Sequence, residues 1–234
     1  MANTGIHPEI LSYVEREILP RYDYFDQAHQ RDHVTMVIKQ SLELAEKMGA
    51  DINMAYVIAA YHDTGIIEGR EHHHEVSARI IKEDPQLRRW FTEEQINIMA
   101  DAAEDHRASA KHAPRTLYGR IVAEADRFID PETIVNRTIQ YGLDHYPELS
   151  HEEQYQRMVS HLHEKYGRNG YLKLWFPDSP NALRLERLRT MMEDEELLKG
   201  LFERFFNQKT SPPDPLSTVE RGSVLPWDLP RFNP

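Results

Sequence analysis

Residues 54–61, Met-Ala-Tyr-Val-Ile-Ala-Ala-Tyr, form an unbroken apolar run that ends directly on His62 and Asp63. The run predicts a buried helix over about 52–63, with Asp51 as its N-cap and Gly65 as a left-handed stop. A carboxylate at the end of such a helix needs a partner, because desolvating it alone costs several kcal/mol. A bound cation is one such partner, provided that other donors converge on the same place.

The rest of the chain supplies helices to bring them there. Residues 7–19 carry Ile10, Leu11, Val14 and Ile18 on one stripe, with Pro20 as the stop and Tyr22, Tyr24 and Phe25 packed beneath. A helix over about 27–48 ends at Gly49 and sets His33 one turn before Val37. A linker from Gly65 to Glu71 leads to a helix that begins near His72-His73-His74 and breaks at Asp84-Pro85. Thr92 and Gln95 form a capping box for a helix through about 106, with Ile98, Ala102 and His106 on one face. Further helices are predicted from about 116 to Asp126, and over 131–143, 150–166 and 180–207. The Pro-rich stretch from Ser211 is expected to be an extended tail, tacked on by Trp227 and Phe232.

No strand pattern and no internal repeat interrupt this reading. The expectation is an all-α, single-domain bundle of about nine helices. Its parts are an N-terminal helix (1–24), a core with the site (25–145), completing helices (146–210) and the tail (211–234).

Composition narrows the chemistry. Lys and Arg number 28 against 39 Asp and Glu, a net charge of −11, which argues against a nucleic-acid polymer or an anionic membrane as partner. No apolar run approaches the length of a membrane span. There is no cysteine, so thiolate sites are excluded; with no signal pattern at the N-terminus, a cytoplasmic location is expected. The 13 histidines include His33, His62, His73 and His106 at inward positions, joined by Asp63 and Asp126. Such a nitrogen and carboxylate set suits a divalent Mn, Fe, Co, Ni, Zn or Mg ion, one or two per chain. Taken singly, each inward His also fits an ordinary hydrogen-bonded core residue, and Asp126 a partner for Arg127.

The order of these residues resembles the HD-domain superfamily of metal-dependent phosphohydrolases. Asp32-His33-Val34 stands where that family places its first ligand. Residues 60–65, Ala-Tyr-His-Asp-Thr-Gly, resemble its central dyad, residues 73–80 its next ligand segment, and Glu104-Asp105-His106 the following one. Ala125-Asp126-Arg127 resembles the segment that carries its last ligand. The resemblance implies metal ligation by His33, His62, Asp63 and Asp126, with His73 and His106 binding a second ion or a phosphate. It also implies hydrolysis of a small phosphorylated substrate, of nucleotide type, by metal-activated water, with Asp63 as a catalytic proton acceptor. The basic residues Arg107, Lys111 and Arg115 are expected to bind the substrate's phosphates. Ile66 and Ile67 stand where several subfamilies carry a catalytic Lys or acidic residues, which leaves the substrate open. Two alternatives share the ligand set: a diiron oxygenase of a small organic substrate, and a non-catalytic module that binds a ligand.

Overall fold

Local chemistry sets the helix starts. Asp51 caps the buried helix by accepting from the backbone N–H groups of Asn53 and Met54, at 2.8 and 3.2 Å. Thr92 and Gln95 form the expected capping box, and Ser150 with Glu153 forms a second. Asp130 and Ser179 cap helices that each begin on proline, at Pro131 and Pro180.

The computed structural model describes residues 5–25, 29–108 and 112–210. Among these there are ten α-helices and no strand: α1 Pro8–Tyr13, α2 Arg31–Met48, α3 Ile52–Tyr61, α4 His73–Glu83, α5 Glu93–Asp105, α6 Leu117–Ala125, α7 Pro131–His145, α8 His151–Tyr166, α9 Pro180–Glu193 and α10 Glu195–Thr210. The all-α expectation holds, with one helix more than anticipated. No described helix is long and apolar enough to cross a membrane. The tail from Ser211, with Trp227 and Phe232, lies outside the described residues, as does Lys111.

Two expectations fail locally. Pro20 does not end the first segment: the chain widens to a π turn over Val14–Ile18 and then tightens to a 3-10 helix over Leu19–Tyr24. Pro20 fits that second start because its missing N–H is not needed there. Tyr22 is fully buried by the turn, whereas Tyr24 points to solvent. Gly65 is not the left-handed stop either; a 3-10 turn, Thr64–Glu68, follows Asp63, and the positive φ falls at Gly69. Gly65 serves a different need. A Cβ there would land on the backbone oxygen of His73 and 2.6 Å from the nitrogen of Ser77, so only glycine lets this turn lie against α4.

Two large apolar cores result. The first packs α3 against α1, α2, α4, α5 and α6, with Val57, Ala59, Ala60 and Tyr61 inaccessible to solvent. The second is built by α7, α8, α9 and α10 around Met158, Leu162, Leu188 and Phe202. The division falls near residue 130, so α7 sides with the later helices rather than with the core expected to run to 145. The stretch before α9 ties the two halves together. Glu124 accepts from the Trp175 N–H at 2.6 Å and from the Ser179 hydroxyl, and Asn181 donates to the Glu124 carbonyl at 2.9 Å.

Candidate metal centre

Five helices deliver six side chains to one point. His33 comes from the first turn of α2, and His62 and Asp63 follow directly on α3. His73 opens α4, His106 caps α5 and Asp126 caps α6. Three helix C-termini therefore meet at the site. Their carbonyl ends carry partial negative charge, which favours a cation.

The distances divide the donors into two sets that share one residue. Asp63 Oδ2 lies 3.3 Å from His33 Nε2 and 3.1 Å from His62 Nε2. Its other oxygen, Oδ1, lies 3.4 Å from both His73 Nε2 and His106 Nε2. Asp126 Oδ1 stands 3.2 Å from His33 Nε2 and 3.8 Å from His62 Nε2. Within each triad, His33-His62-Asp63 and Asp63-His73-His106, the donor atoms lie within 4.8 Å of one another.

Backbone carbonyls fix which ring nitrogen faces inward. His62 Nδ1 contacts the Ala59 carbonyl at 2.8 Å, His73 Nδ1 that of Arg70 at 2.7 Å, and His106 Nδ1 that of Ala103 at 2.5 Å. A carbonyl only accepts, so each Nδ1 carries the proton and each neutral ring turns a lone pair on Nε2 to the centre. Yet the inward nitrogens of His33 and His62 are 3.2 Å apart, and so are those of His73 and His106. Lone pairs at that spacing repel unless a proton or a cation lies between them. The donor set thus fits a metal ion, and its all-nitrogen-and-oxygen character suits a first-row divalent one.

Protonation shows the same demand for positive charge. Burial works against a charged His33, but hydrogen bonds to Asp126 and Asp63 outweigh it and raise the imidazole to about 10. Burial likewise opposes the ionised Asp63, yet the surrounding imidazoles, His62 foremost, hold it well below the usual carboxylate range. Burial and the neighbouring His106 push His73 down, while Asp63 raises His106 against its burial.

The structure adds supports, of which the sequence pattern singled out Arg127 alone. The Tyr22 hydroxyl donates to the Ala60 carbonyl at 3.0 Å and receives the Asp63 N–H at 3.4 Å, which steadies the dyad from below. Ser77 accepts the Gly65 N–H at 2.9 Å and holds the turn after Asp63 against α4. Arg127 is buried; it donates to Asp126 Oδ2 at 3.0 Å and to the His106 carbonyl at 2.9 Å, bracing two ligand segments at once. Its position next to Asp126 was the available signal.

The expected phosphate-binding cations fare unequally. Arg115 is held by Asp105, Glu104 and Asp101, with its side chain 2.9, 2.8 and 3.3 Å from them, and Asp105 raises it above the ordinary arginine range. That arginine neutralises the buried Asp105 behind the site and is not free to hold a ligand. Arg107 donates to the Glu71 carbonyl at 2.7 Å and has no carboxylate partner among the described residues.

The family model of the HD domain matches residues 31–129. Comparison with curated proteins and with solved structures gives no match. The matched span begins two residues before His33 and ends three after Asp126, so this stretch of the chain is similar to the HD domain and contains all six donors.

Proposed function

We propose that this protein is a metal-dependent phosphohydrolase that cleaves a phosphate ester or anhydride of a small metabolite, with a nucleotide as the favoured class. The observation that carries the reading is the division of Asp63, one oxygen facing each imidazole pair. His33, His62, Asp63 and Asp126 would hold one divalent ion and Asp63, His73 and His106 a second; such ions draw charge off a phosphoryl oxygen and lower the pKa of water toward 7.

The chain's own groups have separable tasks. Asp63 is almost wholly buried with both oxygens against imidazoles, which suits it to fixing positive charge. Neighbouring charges hold both Asp63 and Asp126 below the usual carboxylate range, so access alone separates the two as proton acceptors. Asp126 is the more accessible carboxylate, 18% exposed at its side chain, and we assign it the proton of the attacking water. Arg107, at the end of α5 beside His106, is the cation placed to hold a phosphate oxygen.

The test is elemental analysis of the purified protein, followed by phosphate release from nucleoside mono- and triphosphates with Mn, Co, Ni and Mg. Two equivalents of metal and metal-dependent release are expected, with Arg107→Ala raising KM more than it lowers kcat. The same six donors also fit a diiron oxygenase. Two irons with oxygen uptake and no phosphate release from any nucleotide would replace the hydrolase by that reading.

A further inference from the structure

The second half of the chain carries an open cavity of about 710 Å³, lined by α7, α8, the link between them and Phe128, and by none of the six donors. That volume lies within the range of small-ligand sites, roughly 300–1,000 Å³. Three cations stand around it: Arg137 from α7, and Arg157 and Lys165 from α8. Each lies over aromatic rings. Arg137 is 5.7 Å from the ring of Phe128, Arg157 is 5.9 and 5.8 Å from Tyr141 and Tyr146, and Lys165 is 5.1 Å from Tyr166. No carboxylate among the described residues forms an ion pair with any of the three. The same bundle pairs Arg168, Arg189 and Arg204 with glutamates, so acids were at hand. The one carboxylate on the cavity wall, Glu164, leaves the three cations in excess, and in a chain of net charge −11 that local excess calls for an anion.

We propose that this cavity is a binding site, separate from the metal centre, for a small planar anion, its charge between Arg137, Arg157 and Lys165 and its flat body against Phe128, Tyr141 and Tyr146. Arg157 is set for this before a ligand arrives, because it also donates to the Thr138 carbonyl and to Gln154. Burial, and then the charge of Arg127, keep Lys165 below the ordinary lysine range, so an anion also relieves a cost the fold carries. Phe128 stands two residues after Asp126, which places the ligand against the segment that holds the last donor.

Pyridoxal 5′-phosphate is the probe, since it joins a planar ring to a phosphate and forms a Schiff base that borohydride traps on a nearby neutral amine. Peptide mass spectrometry of the purified protein should place most of the label on Lys165. Pyridoxal without the phosphate should label it about tenfold less, and Arg137→Glu should reduce labelling by the same factor, as expected for one lost charge-assisted contact. Arg137 is exposed, so this variant should melt with the parent. Removal of metal by a chelator should leave the label unchanged. Label spread evenly over the lysines, equal labelling by pyridoxal, an unaffected Arg137→Glu variant, or loss of label on chelation would each overturn the proposal.

Discussion

Two histidines in the two halves of the molecule shift in opposite directions. His33, in the first core, faces Asp63 and Asp126, and these carboxylates raise it to about 10 despite its burial. His161, on the cavity wall of the second, is lowered by burial and then by the charges of Lys165 and Arg157. Both halves are helix bundles with apolar interiors, yet the first gathers carboxylates and asks for a cation, while the second gathers cations and asks for an anion. A net charge says little about this, because the sign of a site depends on which few groups the helices bring within several ångströms. The fold supports both sites in the same way, with donors on helix ends or flanks braced by backbone carbonyls.

The sharpest break in the comparison is Asp63→Ala. Both triads lose their common carboxylate, so metal content should fall from two equivalents to none. Activity should drop by more than about 100-fold, the ceiling for groups that only support a ligand. Circular dichroism should still show the helices, because the apolar contacts of α3 are untouched. Retention of one tightly held ion would show that the two triads act independently. Phe202→Ala is the counterpart in the second half. Phe202 is fully buried among Tyr155, His151 and Phe206, with ring centroids 5.1–5.2 Å away. Its truncation should cost about 3–5 kcal/mol in denaturant unfolding. Metal content of the folded protein should not change; loss of metal there would mean that the halves are not separable.

Much of the first half was legible in the chain. His62 and Asp63 close an apolar run, His33 shares the face of Val37, and the capping residues Asp51 and Thr92 announce their helices. What was hidden is three-dimensional. Nothing in a sequence says that the two oxygens of Asp63 face different imidazole pairs, that Tyr22 reaches under the dyad, or that Arg115 is taken up by Asp105. Gly65 was noticed for the wrong reason, since a glycine that ends a helix and one that admits a neighbouring backbone look alike in one dimension. The second half was nearly silent. Arg137, Arg157 and Lys165 lie on helix faces that read as ordinary solvated surface, and only the pairing of α7 with α8 turns them toward one cavity.

Gly65→Ala probes the first half more gently. The added methyl would collide with the backbone of His73 and Ser77, so the start of α4 must move away. His73 moves with it, whereas His33 and His62 stay on α2 and α3. The expected result is loss of one metal equivalent and a fall in activity of about 10–100-fold, as for a displaced supporting group. Full occupancy of both sites in this variant would mean that the turn after Asp63 yields without disturbing α4.

The smallest effect tests the sign of the second half. His161 has its pKa lowered from 6.5, so the folded state prefers the neutral ring. The stability this contributes is present above 6.5 and is lost as the pH falls below it. Lys165 and Arg157 oppose protonation and only Glu164 favours it, so His161→Gln should remove part of the acid sensitivity. The half-exposed ring limits the effect to about 1–3 °C in the difference between the melting temperatures of parent and variant, compared at pH 7 and pH 5. An anion in the cavity should shrink this difference or reverse its sign, because a protonated His161 would then have a partner. If the difference is unchanged by saturating pyridoxal phosphate, the anion does not sit among these cations. If it already favours the parent at pH 5 without ligand, the field around His161 is not the positive one that separates this half from the metal centre.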